Sequence, residues 1–213
     1  MSQASHDRTE GWLAVVSTVL LALATVATAW AGYQASRWHG EQAQAQTRAT
    51  AARLESTRAS GLANREVEID VAVFIQWVDA HAQGETDLKE FYEERFPDRF
   101  KPAFDAWIAT MPFENAAAPA TPFAMPEYRL AAVDRAERLE ADAVAASEEA
   151  REDIERADRY VLCVVLFAAS LFFAGISTRL RTRTAEAAIL ALGCVLFLGT
   201  LAWLATFPVS VAL

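Results

Sequence analysis

The chain has 213 residues, 54% of them hydrophobic, and its 19 basic against 28 acidic side chains give a formal charge of −9. That acidic balance excludes a nucleic-acid binder and disfavours anionic lipid headgroups, since neither is drawn to a like-charged surface. The mean hydropathy of +0.13 comes from apolar residues gathered in three blocks, a distribution that indicates membrane spans and not one large soluble core.

Residues 1–11 form a short polar tail, after which Trp12 to Tyr33 run without a charged side chain. A bilayer core ~30 Å thick needs ~20 helical residues at ~1.5 Å each, so residues 12–33 suffice for a first span. Trp12 at one end and Trp30 and Tyr33 at the other suit the two interfaces. A cleaved signal peptide is the rival reading, through Ala27-Thr28-Ala29 or Ala29-Trp30-Ala31. Asp7 and Glu10 around Arg8 make a poor positive leader, and the block is longer than the ~7 to 15 apolar residues of a typical signal core.

Inside this span Thr18, Ala22, Thr25, Ala29, Gly32 and Ser36 recur at alternating steps of four and three and share one stripe. Val16, Leu20, Leu23 and Trp30 fall on another, which suits lipid. Small-residue ladders draw membrane helices together because close packing replaces the missing hydrophobic force. Two uses fit: packing against the later spans, or lining a narrow pore in an assembly of several copies.

Residues 34–158 are polar and carry 25 of the 28 acids. No proline interrupts Gln34 to His81, and Ala45, Ala49, Ala52, Ser56, Ala59 and Ala63 form a heptad-like seam with alanine where leucine is usual. The partner is the segment Tyr128 to Asp158, where Ala136, Ala143, Ala150 and Ala157 are spaced by sevens, with Val133 and Ile154 beside them. One arm leaves the membrane and the other returns, so the two form an antiparallel helical hairpin. A helical cap over about residues 65–126 joins them. Val71, Phe74, Ile75, Trp77 and Val78 should meet Leu88, Phe91, Tyr92, Phe96, Phe100, Phe104, Trp107 and Ile108 in a small aromatic core. Phe113, Phe123 and Met125, in a loop punctuated by Pro112, Pro119, Pro122 and Pro126, are its anchors.

Residues 159–178 and 187–207 make the second and third spans, joined by residues 179–186. That link carries Arg179, Arg181 and Arg183, which places it in the cytoplasm together with the N-terminus. The hairpin and the tail 208–213 then lie on the extracytoplasmic side. Cys163 and Cys194 sit within spans at depths that differ by roughly 13 Å on ~1.5 Å per residue, too far apart for a bridge.

The chemistry sought is not found. His6, His39 and His81 lack a metal-ligand spacing, and no phosphate loop, nucleophile elbow or activated cysteine is legible. No cofactor and no catalytic activity are expected. Glu148, Glu149, Glu152, Asp153, Glu155 and Asp158 alternate with Arg151, Arg156 and Arg159 as on a salt-bridged exposed helix. Where several copies of that stretch meet they would attract cations.

The segments Ala31-Gly32-Tyr33-Gln34-Ala35-Ser36-Arg37-Trp38 and Leu171-Phe172-Phe173-Ala174-Gly175-Ile176-Ser177-Thr178-Arg179-Leu180 resemble bacterial three-span membrane proteins that carry no known activity. The likeness extends over most of the chain and implies a bacterial cytoplasmic membrane setting. The expectation is therefore an all-helical, three-span, multi-pass protein with an extracytoplasmic hairpin and cap, self-associating in the bilayer as a structural or interaction module. An oligomeric cation channel with an acidic vestibule is the alternative, and an accessory or sensory subunit that uses the cap's aromatic surface is a third reading.

Overall fold

A computed structural model of the chain describes residues 3–180 and 182–210, with side chains from Trp12 onward. Arg181 of the basic link, residues 1–2 of the N-terminal tail and residues 211–213 of the C-terminal tail lie outside the described residues. The protein is all-helical, without a strand among the described residues: α1 (Gln3–Gln83), α2 (Thr86–Arg95), α3 (Lys101–Ala109), a 3-10 turn (Pro122–Ala124), α4 (Ala131–Ser177) and α5 (Arg183–Leu204). Of these, α1, α4 and α5 are long and apolar enough to cross a membrane. The chain divides into two compact units, one made of Met1–Thr47 with Ala146–Leu213 and one of Arg48–Ala145.

The 81 residues of α1 far exceed the ~20 that a bilayer asks for. It stays helical because no proline occurs before Pro97 and its isolated glycines stand among strong helix formers. It ends at Gly84, whose φ of +72° is open to a residue without Cβ. The Glu85 N–H donates to Ala80 O at 3.0 Å and the Gly84 N–H to His81 O at 3.2 Å, which satisfies two of the last carbonyls.

In the first unit the core joins Leu20, Ala24, Ala31 and Ala35 of α1, Tyr160, Cys163, Phe167 and Ala174 of α4, and Leu190, Phe197 and Leu204 of α5. Serines tie the helices across this core: Ser17 Oγ donates to Ala174 O at 3.1 Å and Ser170 Oγ to Gly193 O at 2.7 Å. In hydrocarbon such bonds stabilise by about 0.6 to 2 kcal/mol each. A Cβ on Gly193 would stand 3.3 Å from Phe173 Cβ and 3.4 Å from Ser170 O, so the close approach of α4 and α5 at this point favours glycine. Helix α5 stops at Leu204, and the chain turns so that Phe207 meets Tyr160 and Trp203. The following segment is held by two buried side chains. Fully buried Gln34 accepts from Ser210 N at 3.0 Å and donates to Ser210 O at 3.3 Å, while Tyr160 OH donates to Pro208 O at 2.9 Å.

In the second unit Phe74, Trp77, Phe96, Phe100, Phe104 and Trp107 make an aromatic core flanked by Tyr92, Phe123, Met125 and Tyr128. A smaller cluster gathers Ala63, Leu130 and Ala132. Ile75, Val78, Leu88, Phe91 and Ile108, expected in that core, are exposed instead. With Phe74 and Trp77 inward, one residue further along turns a side chain by ~100° and carries Ile75 and Val78 to the far face. Helix α2 buries none of its residues, which accounts for Leu88 and Phe91.

Candidate functional site

All six members of the small-residue stripe, Thr18, Ala22, Thr25, Ala29, Gly32 and Ser36, are exposed. The expectation that they pack against the second and third spans of the same chain is therefore corrected: the face of α1 that does so is Ser17, Leu20, Ala24, Ala31, Gln34 and Ala35. At ~100° per residue this buried face lies roughly 140° round the helix from the stripe. Leu20, assigned to lipid, is buried and Val16 is half-buried, whereas Leu23 and Trp30 are exposed. Small residues occupy both faces, but only one carries the hydrogen-bonding Ser17 and Gln34 as well.

The threonines of the stripe do not need a partner. Thr18 Oγ1 donates to Ala14 O at 2.8 Å and Thr25 Oγ1 to Leu21 O at 2.7 Å, each within its own helix. Their protons are spent, and each oxygen keeps acceptor capacity. The stripe can thus face lipid, a second helix or water without leaving a donor unsatisfied.

Along the seam, Ala45, Ala49, Ser56, Ala59, Ala63, Ala136, Ala143, Ala150 and Ala157 are buried and Ala52 is half-buried. Ser56 Oγ donates to Ala136 O at 3.0 Å. Val133 and Ile154, expected beside this seam, are exposed, and Asp153, expected on a solvated face, is buried. Asp153 falls between Ala150 and Ala157 on the same side of α4, and it is compensated by Arg156 Nη1 at 2.6 Å. The Arg156 guanidinium also lies 5.0 Å over the Trp38 ring. On the exposed side, hydrogen bonds from Arg151 hold the Glu148 carboxyl below its usual range. In the basic link Arg179 is exposed and Arg183 opens α5 half-buried.

Asp70, Arg99 and Tyr128 meet in the second unit, a constellation the sequence analysis missed. Asp70 has 0% of its surface exposed. Its carboxylate accepts from Arg99 Nε at 3.1 Å, Arg99 Nη2 at 2.9 Å and Tyr128 OH at 3.0 Å, and Arg99 Nη2 also donates to Glu66 O at 3.2 Å. Burial first, and then the hydrogen bond to Asp70, push the Tyr128 hydroxyl far above the ordinary tyrosine value. A signal was present: Asp70 follows Ala63 by seven and precedes Phe74 and Trp77 on the same stripe of α1, a lone carboxylate in an inward register.

Beside that core lies a cleft of about 470 Å³ lined by Trp77, His81, Lys89, Glu93, Phe104, Asp105, Ile108 and Phe113. The exposed His81 ring stacks 5.3 Å from Trp77 and 4.4 Å from Phe113 at interplanar angles of 12° and 19°, and those two rings lie 6.3 Å from each other. Trp77 Nε1 donates to Glu93 Oε1 at 2.7 Å, and Lys89 Nζ stands 3.9 Å from the same oxygen. Phe113, expected as an anchor, does stack on His81 but stays 59% exposed. Its loop is turned by Met111, a non-glycine residue at φ +52°, a conformation that costs about 1 kcal/mol. The loop's far end is fixed where Trp107 Nε1 donates to Pro119 O at 2.8 Å. Among the described residues no three His, Cys, Asp or Glu side chains converge as metal ligands.

Among the described residues, which form helices and no strand, three helices are long and apolar enough to cross a bilayer, which is consistent with a multi-pass membrane protein. No protein-family model, curated protein or solved structure matches this chain.

Proposed function

We propose that the protein is a non-catalytic structural or interaction module of a bacterial cytoplasmic membrane that self-associates through the small-residue stripe of α1. In this reading the N-terminus and the basic link face the cytoplasm, and residues 34–158 form an extracytoplasmic helical hairpin with a cap. The Ser56 to Ala136 hydrogen bond and the buried alanines support the pairing of the hairpin's arms. The observation that carries the proposal is the exposure of Thr18, Ala22, Thr25, Ala29, Gly32 and Ser36, on a different side of α1 from its buried packing face. A smooth strip without large side chains lets a second helix approach closely, which is how membrane helices gain dispersion energy without a hydrophobic drive.

Native mass spectrometry of the full chain in maltoside tests this. The wild type should be oligomeric, and Ala22→Leu or Gly32→Leu should shift it toward monomer, whereas a wild type that is monomeric at all concentrations overturns the proposal. A cation-permeable assembly is the second reading. It is supported by the acceptor oxygens of Thr18 and Thr25 on the same strip and by the 25 acids against 14 bases of residues 34–158. Reconstituted protein should then conduct, Thr25→Trp should abolish the current, and silent bilayers from well-folded oligomer would dismiss it. The exposed Ile75, Phe91, Ile108 and Phe113 support the third reading, an accessory subunit, which co-purification of a stoichiometric second protein would favour.

A further inference from the structure

We infer that the aromatic cleft of the second unit binds a small organic cation, an ammonium group carried on an apolar body. The volume of about 470 Å³ falls within the ~300–1,000 Å³ of small-molecule sites. Its chemistry selects the class of ligand. Lys89 and Glu93 balance one another at 3.9 Å, and Glu93 is further occupied by the Trp77 indole N–H. The Asp105 carboxylate, by contrast, makes no side-chain hydrogen bond or ion pair among the described residues. The cleft is left with one uncompensated negative charge.

That charge lies in a cleft of aromatic rings. One face of Phe113 covers His81 and its ring meets Trp107 at 5.8 Å, yet the residue stays 59% exposed. Aromatic faces carry negative quadrupole charge and attract ammonium groups, most of all beside a carboxylate. The loop that presents Phe113 is built for that position. Met111 N–H donates to Ile108 O at 2.9 Å, and Met111 O accepts from Glu114 N at 3.0 Å and Asn115 N at 2.9 Å, so the chain reverses and returns Phe113 to His81. Left-handed backbone at a non-glycine residue persists where the surroundings hold it, and such residues concentrate at ligand sites. The acidic surroundings, 25 acids against 14 bases over residues 34–158, raise the local concentration of any cation. The inference does not depend on self-association, because the cleft lies wholly within the second unit and a monomer would bind as well as an oligomer.

The test uses the full chain in maltoside, avoiding choline-bearing detergents that would compete, with the three histidines isotope-labelled. The His81 ring resonances are assigned by their loss in His81→Gln. Phenethylammonium should shift His81 and leave His39 in place, saturating at a roughly millimolar or lower dissociation constant. Phenylacetate and 2-phenylethanol, of the same shape without the positive charge, should bind at least about tenfold more weakly. Asp105→Asn should weaken phenethylammonium by a similar factor, and Phe113→Ala severalfold; both residues are exposed, so the fold is kept. Equal binding of all three probes, an unaltered affinity in Asp105→Asn, or no saturable His81 shift would each overturn the inference.

Discussion

Replacing Arg99 by methionine removes the compensating charge from a carboxylate that has no access to water. Asp70 is wholly buried and accepts three hydrogen bonds, two from Arg99 and one from Tyr128. Leaving a buried charge unpaired typically costs about 3–5 kcal/mol. The Arg99 side chain keeps 29% of its surface exposed, so solvent screens part of the pair and a loss of about 3 kcal/mol is expected. For a unit of roughly 100 residues each ~1 kcal/mol moves the melting temperature by ~4–8 °C, which gives a fall of about 12–24 °C. Near-ultraviolet circular dichroism of the full chain in maltoside reads this, because Trp77 and Trp107 lie in the adjoining aromatic core. Tyr128→Phe deletes one hydrogen bond to a charged acceptor and should cost about 1.5–3 kcal/mol. Removing both charges, Asp70→Leu with Arg99→Met, should regain most of the loss, since an apolar pair of similar volume replaces a buried ion pair at little cost. A melting temperature within about 3 °C of the wild type for Arg99→Met, or a double variant no more stable than the single one, would refute the reasoning.

Gly193→Ala brings a Cβ to 3.3 Å from Phe173 Cβ and 3.4 Å from Ser170 O, and should lower thermal stability in maltoside by about 1–3 kcal/mol. Gly199→Ala, which meets open space on the same helix, should not; equal behaviour of the two would disprove a tight contact between α4 and α5. Ala143→Leu inserts three carbons at a position with no exposed surface and should cost about 1–3 kcal/mol. Ala141→Leu at an exposed position of α4 should leave the melt unchanged. The raised value for Tyr128 means that the folded state keeps a proton which the unfolded chain releases near its ordinary 10.0. Stability from this group is therefore complete below that value and falls as pH climbs beyond it. Denaturation midpoints at about pH 9 and about pH 11 should diverge in the wild type by more than in Tyr128→Phe, and identical slopes would contradict it.

The spans were legible because apolar content is a property of composition: the blocks beginning at Trp12, Tyr160 and Ala187 each lie within a helix apolar enough to cross a membrane. The face each helix turns to its own chain was not. Ala24, Ala31 and Ala35 inside and Ala22, Ala29 and Gly32 outside are chemically alike, and period alone cannot tell an intrachain neighbour from an absent one. Polar residues resolve that ambiguity, since Ser17 and Gln34 find their partners at Ala174 and Ser210, far along the chain. Such pairings depend on tertiary register, which local pattern does not encode. The same holds for Asp70, Arg99 and Tyr128, and for the cleft whose rings come from α1, α3 and the proline-punctuated loop.

Cysteine crosslinking in native membranes tests self-association through α1 most directly. In a background with Cys163 and Cys194 replaced by serine, single cysteines at Thr18, Thr25 and Gly32 should form disulfide-linked dimers on mild oxidation. Cysteines at Val19, Leu23 and Val26, also exposed but roughly 100° round the helix, should not. Crosslinks of equal yield on both faces, or none on the small-residue stripe, would contradict the account.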